Sequence, residues 1–239
     1  MVIVNAEAVR ETLLEARWLD PEKVRVVLNS VSLDPVPQAD GRAALAELGL
    51  PRGVPVVCGA GRLTRQKGLD VLIRAFAIVR GEFPDARLLI LGEGGQRGAL
   101  EETARDARVE DAVTFAGHVP DVRAALSSVD VYALSSRNEG MANTLLEAMS
   151  VGAPIVATDV SGTGEAVEDC RDALVVPPED PAALADGIAR LLRDPELAGR
   201  LGSAALETSS ERFGRGRMLD ELLAVFEEGL ERIGRSRRE

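Results

Sequence analysis

Short runs of apolar residues alternate with longer amphipathic stretches over the middle of the chain. Six apolar runs predict strands at about 54–60, 87–91, 112–115, 129–134, 154–158 and 173–176. The stretches between them predict helices at about 68–80, 96–107, 122–128, 143–151 and 163–167. The strands are apolar almost without interruption, as strands covered on both faces are. The pattern predicts an α/β fold, a Rossmann-like parallel sheet with helices on both faces, which binds ligands at its carboxyl edge.

The flanking segments continue the alternation. Before the sheet we expect a strand at 2–5, a helix at 6–18, a strand at 24–28, a proline-containing linker at 29–37 and a short helix at 42–50. After it, Asp180 and Pro181 predict the cap and first residue of a helix that ends near 193. A second helix is expected at 195–212, and a last, amphipathic helix at 218–233.

The candidate chemistry centres on residues 138–149. Glu139 follows a predicted strand and precedes Gly140, and Glu147 falls eight residues later on the next helix. A helix N-terminus between them favours a phosphate, which carboxylates would repel. The two glutamates therefore suit hydroxyl groups beside that phosphate, such as those of a nucleotide sugar. Taken alone, the spacing favours an ordinary surface helix with glutamates in its first turns.

Three further glycine-rich segments follow strands. The segment 61–68 contains Arg62 and Lys67, and 92–95 and 161–165 follow later strands. The segments 61–68, 138–149 and 161–165, in this order, resemble the nucleotide-sugar-binding half of retaining glycosyltransferases of the GT-B fold, in the glycosyl transferases group 1 family, and 92–95 resembles the Gly-x-Gly loop of that family. The resemblance runs over about 54–176 and implies the C-terminal half of a GT-B fold.

The resemblance also implies residue roles. Arg62 and Lys67 would hold the donor diphosphate and stabilise the charge that grows on it as the sugar leaves, and Glu139 would bind a hexose hydroxyl. These three are the predicted catalytic residues. Glu147 would bind the ribose, and Thr144 either adds a hydroxyl to the phosphate site or caps the helix. The predicted donor-binding residues are Gly61, Gly92, Val119, Gly140, Met141, Ala142, Asn143, Thr144 and Glu147.

The same family pattern predicts three parts: residues 1–40 as the end of an acceptor domain and its hinge, 41–210 as the donor domain, and 211–239 as a crossover helix and tail. Because a GT-B enzyme needs two Rossmann-like domains, 239 residues suggest half an enzyme, inactive alone. Its expected partners are a nucleotide-sugar donor and either an acceptor-domain chain or a second copy bound through the terminal helix.

Composition narrows the other possibilities. A net charge of −11 argues against nucleic acid as a partner. The cysteines, Cys58 and Cys170, are too few for a disulfide framework, and no apolar run reaches about 20 residues, so we expect a cytoplasmic protein without stable membrane insertion. A single histidine and the lack of an Asp-x-Asp motif favour a metal-independent reaction. No cofactor is expected beyond the substrate, a nucleoside diphosphate sugar of the UDP or GDP type.

Three alternatives stay open at this point. A non-catalytic nucleotide-sugar-binding module would share these motifs, and so would a nucleotide-sugar epimerase of GT-B fold, although a single histidine disfavours the epimerase. A dinucleotide-dependent oxidoreductase is the weakest, because Thr64 stands where the third glycine of its Gly-x-Gly-x-x-Gly loop belongs.

Overall fold

A computed structural model describes residues 1–17, 19–36 and 41–236. Six strands form one parallel sheet: β3 (Val56–Ala60), β4 (Arg87–Leu91), β5 (Val113–Gly117), β6 (Val131–Leu134), β7 (Ile155–Thr158) and β8 (Leu174–Val176). Two others, β1 (Val2–Val4) and β2 (Val24–Val26), form a separate parallel pair. The predicted end of the first helix at Trp18, the end of the linker at 37 and the domain boundary at 40 lie outside the described residues.

The strand order of the large sheet is β5-β4-β3-β6-β7-β8. The chain therefore adds strands outwards from β3 to β5, then returns to place β6 on the other side of β3. At such a reversal the connections that leave two neighbouring strands run to opposite faces of the sheet, and ligands bind outside the carboxyl ends of those strands. The loops after β3 and β6 carry the two main sequence motifs.

Helices cover both faces of this sheet, which confirms the predicted fold class. Because side chains alternate along a strand, Val56 and Cys58 face one helical layer and Val57 faces the other. Burial raises the pKa of the Cys58 thiol. The helices are α1 (Glu7–Glu15), α2 (Gly41–Glu47), α3 (Leu69–Val79), α4 (Arg97–Asp106), α5 (Arg123–Leu126), α6 (Asn143–Ser150), α7 (Thr163–Ala166), α8 (Pro181–Arg193), α9 (Pro195–Arg212) and α10 (Arg215–Ser236).

The first layer consists mainly of α5 and α6, with α2 and α9 at its margin, and the second of α3, α4 and α8. The predicted cap of α8 is confirmed, since the Asp180 carboxylate accepts hydrogen bonds from the N–H groups of Ala182 and Ala183. None of the helices in the described ranges is both long and apolar enough to cross a bilayer. The cytoplasmic location stays a prediction.

The described residues of the N-terminal segment, 1–17 and 19–36, pack against the rest of the chain, including α10. Val31 N–H donates to Phe213 O at 2.9 Å, and Arg217 donates to Leu28 O at 2.9 Å. Arg25 pairs with Glu228 on α10. The predicted three-part division of the chain is not tested by these contacts, but they show that its two ends are held together.

The helix α10 begins three residues before its predicted start and leaves much of its apolar face uncovered. Four of its large apolar side chains are between 55% and 69% exposed: Leu219, Leu223, Phe226 and Leu230. Next to them, Met1 and Ile3 of the β1 segment are 47% and 38% exposed. We call these six side chains the α10–β1 apolar face.

Candidate functional site

The loops after β3 and β6 meet closely at the reversal point of the sheet. Gly68 has φ +59°, and a Cβ there would lie 1.9 Å from Ser135 O, so only glycine allows this approach. The Ser135 hydroxyl in turn donates to Lys67 O at 3.0 Å. The close approach brings together Lys67 and Glu139, which lie far apart in the sequence.

Lys67 and Glu139 form an ion pair with Nζ and Oε1 2.5 Å apart. The Ser136 hydroxyl donates to the same carboxylate oxygen at 2.6 Å, and Glu139 is only 6% exposed. Arg62, the third predicted catalytic residue, is exposed and makes no side-chain hydrogen bond or ion pair within the described part of the chain. The site thus offers one cation held in an ion pair and one that is exposed to solvent.

The N-terminus of α6 lies beside this pair. Ala142 is its N-cap, and the Ala142 carbonyl accepts from Leu145 N–H at 3.1 Å, so the first N–H groups of the helix lack intrahelical acceptors. Met141 and Ala142, which precede the helix, are buried, at 5% and 3% exposed. Such a terminus with its dipole is a general binding site for phosphate.

Thr144 does not cap this helix, so that alternative is wrong. Its hydroxyl accepts from Tyr132 OH at 2.9 Å and donates to Ala60 O at 3.3 Å. It therefore joins α6 to the ends of β3 and β6, and a role towards phosphate stays a prediction.

Glu147, one turn further along α6, faces a cavity of about 270 Å³. Burial raises the pKa of its carboxyl, the nearby Asp121 raises it further, and Arg123 lowers it. Among the described residues none donates a hydrogen bond to this carboxylate. The cavity is lined by Ser30, Val31, Ser32, Pro120, Asp121, Arg123, Asn143, Glu147 and Arg215.

The third glycine loop supports the loop of Gly140. A Cβ on Gly162 would lie 1.4 Å from Gly140 O, and Gly162 N–H donates to Glu139 O at 3.1 Å. The backbone of Gly162 thus packs directly against the carbonyls of Glu139 and Gly140. A larger residue at position 162 would not permit this contact.

The remaining predicted residues lie along the same carboxyl edge. Gly61 N–H donates to Leu91 O at 2.9 Å, and Gly92 N–H donates to Gly117 O at 2.7 Å, which joins the ends of β3, β4 and β5. Val119 packs against the core, while its neighbour Pro120 lines the cavity. Of the predicted donor-binding residues, Asn143 and Glu147 line the cavity itself.

Sequence analysis missed the residues that hold the N-terminal segment to the site. The Glu165 carboxylate accepts from Glu7 N–H at 2.8 Å and Ala8 N–H at 2.9 Å, and so caps α1. Asn29 Nδ2 donates to Asn143 Oδ1 at 2.7 Å. Arg123 Nη1 donates to Ser32 O at 3.0 Å. No local pattern marks such contacts, because each joins residues about 90 or more positions apart.

No group of three or more His, Cys, Asp or Glu side chains in the described ranges is arranged to hold a metal ion. The positive charge near the helix terminus comes instead from Lys67 and the helix dipole, and Arg62 lies exposed in the loop that leads to Lys67. Metal independence remains a prediction.

This six-stranded parallel sheet with helices on both faces has the architecture found in GT-B glycosyltransferases. HepE from Anabaena, solved in complex with UDP and glucose, superposes with a TM-score of 0.88 at 24% identity, over 95% of this chain and 63% of that one. The sequence model of the glycosyl transferases group 1 family matches residues 54–194, more than half of the chain, and the protein belongs to that family. The resemblance drawn from the motifs is therefore confirmed.

Curated relatives agree with this assignment. The lipopolysaccharide core biosynthesis glycosyltransferase LpsE of Rhizobium meliloti (strain 1021) is 31% identical over 94% of this chain and 63% of its own length. The D-inositol 3-phosphate glycosyltransferase of Streptomyces scabiei (strain 87.22) is 35% identical over 89% of this chain and 50% of its own length. The chain thus spans between half and two thirds of the length of these relatives.

Proposed function

We propose that this chain is the donor-binding half of a retaining, metal-independent hexosyltransferase that uses a nucleoside diphosphate sugar of the UDP or GDP type. The observation that carries the proposal is the half-buried Glu147 carboxylate. It faces a cavity beside the first turn of α6 and receives no hydrogen bond from the described residues. A carboxylate in that position is suited to accept the two ribose hydroxyls of a nucleotide.

The diphosphate would bind at the N-terminus of α6. Lys67 uses one of its three ammonium hydrogens on Glu139, so others are available for a phosphate oxygen. Arg62 would complete the site from the exposed side of its loop. Positive charge placed where negative charge grows lowers the barrier to departure of the diphosphate, and here it would be supplied without a metal.

The hexose would lie against Glu139. The hydrogen bonds from Lys67 and Ser136 both engage Oε1, and the described residues donate none to Oε2. Oε2 is therefore available to a sugar hydroxyl, while Gly140 allows the sugar to approach the backbone. In the retaining reaction we propose, the acceptor attacks on the face from which the diphosphate leaves, with Arg62 and Lys67 stabilising the departing charge.

The acceptor would be bound by a further α/β domain docked on the α10–β1 apolar face. That face borders a cavity of about 440 Å³ lined by Met1, Ile3, Val225, Phe226, Gly229 and Leu230. The parallel pair β1–β2 adjoins it, and parallel sheets rarely stand as two uncovered strands. Four apolar residues exposed in one continuous stripe are typical of a surface that another domain covers.

Ligand binding tests the donor assignment. We expect UDP or GDP to raise the unfolding temperature by several degrees at about 100 times the dissociation constant, equally with and without EDTA. Glu147→Ala and Lys67→Ala should abolish the shift, whereas Glu102→Ala, on the exposed side of α4, should leave it unchanged. Matched sugar donors then separate the transferase from a binding module, since only the transferase passes the sugar to an acceptor molecule bound by an added acceptor domain and releases the nucleoside diphosphate. A folded protein that responds to neither diphosphate would refute the assignment.

The docking surface is tested separately by light scattering. A mixture with the acceptor domain of a relative should form a one-to-one complex, and Phe226→Asp should prevent it. A concentration-dependent homodimer abolished by the same substitution would instead assign the face to a second copy.

A further inference from the structure

Arg137 lies two residues before Glu139 and does not line the cavity beside Glu147. Its guanidinium makes four hydrogen bonds. Nη1 and Nη2 donate to the two oxygens of Asp70 at 2.8 and 2.9 Å, Nη1 donates to Arg65 O at 2.8 Å, and Nε donates to Glu179 Oε1 at 2.8 Å. With so many of its five N–H donors used inside the protein, Arg137 is placed to organise structure and not to hold a ligand.

These contacts join the two loops that form the site. The Arg137 backbone N–H donates to Gln66 O at 2.8 Å, and the Gln66 amide donates back to Asn138 O at 2.8 Å. Arg137 therefore holds the carbonyls of Arg65 and Gln66, the two residues that precede Lys67. Glu139 follows Arg137 by two residues, so both members of the ion pair are fixed through it.

The anchor of this arrangement is α3. Asp70 stands in its first turn, next to Leu69, which is 3% exposed, and most of the helix is buried. The hydrogen bonds from Arg137 are the main cause of a lowered pKa for the Asp70 carboxyl. Arg74 pairs with the same carboxylate at 3.0 Å but is 53% exposed, and among the described residues its side chain makes no hydrogen bond to the loop. A planar guanidinium can bridge a carboxylate and a carbonyl at once, which an ammonium cannot do with the same geometry.

We propose that Arg137 is a positioning residue for the donor diphosphate: by holding residues 65–67 to Asp70 on α3, it fixes Lys67 against Glu139. This inference rests on the proposed function. Without the guanidinium, the loop of Lys67 loses its support, and the affinity for the diphosphate group falls while that for the nucleoside is retained.

Calorimetric titration tests this with a nucleoside and its diphosphate, uridine and UDP or guanosine and GDP, with displacement titrations for the weaker ligand. The dissociation constant of the nucleoside divided by that of the diphosphate measures what the phosphates contribute to binding. We expect Arg137→Ala and Arg137→Lys each to reduce that ratio about tenfold, the effect of losing one charge-assisted contact. Arg74→Ala removes a cation from the same Asp70 and should leave the ratio unchanged. Full rescue by lysine, or an equal loss in Arg74→Ala, would overturn the inference. Either result would show that positive charge beside Asp70, and not the set of hydrogen bonds made by the Arg137 guanidinium, determines the affinity for the diphosphate.

Hydrogen exchange without ligand separates this inference from the proposed function. The N–H groups of Lys67 and Gly68 donate to Thr64 O and Arg65 O at 3.2 Å. They should exchange faster in Arg137→Ala and at the wild-type rate in Arg74→Ala. Unchanged exchange in Arg137→Ala would refute the positioning role of Arg137 and leave the proposed function standing. An unchanged ratio of dissociation constants in that variant, while the wild type binds the diphosphate, would do the same. A wild-type protein that binds neither diphosphate would overturn the proposed function and, with it, any role of Arg137 towards the donor.

Discussion

Replacing Lys67 by methionine should cost more stability than the loss of any single surface ion pair. The two side chains of the Lys67–Glu139 pair are 16% and 7% exposed, so solvent screens their interaction little. Methionine keeps the length of the side chain but leaves the Glu139 carboxylate buried with only the Ser136 hydroxyl as a donor. Removing one partner of a buried pair typically costs about 3–5 kcal/mol, and the remaining hydrogen bond favours the lower figure, about 3 kcal/mol.

For a chain of this size that loss corresponds to a fall of roughly 6–12 °C in the unfolding temperature. Urea unfolding followed by far-UV circular dichroism gives the free energies for a double-mutant cycle. Because the neutral pair leaves no charge buried, Lys67→Met with Glu139→Gln should return to within about 1 kcal/mol of the wild type.

The exposed pair Arg171–Glu168, with side chains 57% and 69% exposed, provides the control. Arg171→Met should cause no measurable loss. The reasoning fails if Lys67→Met behaves like this control, or if the Lys67 and Glu139 substitutions destabilise additively.

The other predictions concern single residues around the site. Folding raises the pKa of the Glu147 carboxyl. The contribution of this group to the free energy of unfolding is therefore fully present below its unfolded pKa and is lost as pH rises through its folded pKa. Glu147→Gln should therefore be at least as stable as the wild type at pH 7 while losing nucleotide binding, and the difference in stability should disappear in acid. Thermal unfolding measured at several pH values would contradict this if the variant were less stable at pH 7. Glu165→Gln should weaken the cap of α1 by about 1 kcal/mol, seen as faster hydrogen exchange in that helix. Gly162→Ala should destabilise by at least about 3 kcal/mol in urea, because its Cβ would overlap Gly140 O, whereas Gly164→Ala, with open space around it, should not.

The sheet was predictable because its strands are buried on both faces and are therefore apolar without interruption. The β3 run, for example, was placed at 54–60 and forms from Val56 to Ala60. A helix start was predicted well where the local sequence contains a capping residue, as at Asp180. The start of α10 at Arg215 was predicted less well. Nothing in the local sequence marks that start.

The site was predictable only in part. The positions of Lys67 and Glu139 at the carboxyl edge follow from strand order, but their direct ion pair depends on the approach of Gly68 to Ser135, which is a property of the folded backbone. The hydrogen bonds of Glu165 to α1 join residues 157 and 158 positions apart. Such contacts are set by tertiary packing and leave no periodic signal in the chain.

The capping of α1 by Glu165 has a practical consequence for building chimeric enzymes. A chimera joined after Val31, within the expected hinge, would replace the residues that form hydrogen bonds with Glu165, Asn143 and Arg217. The described part of residues 1–31 therefore forms one structural unit with the six-stranded sheet and α10. A junction that preserves these contacts in a chimera lies ahead of β1.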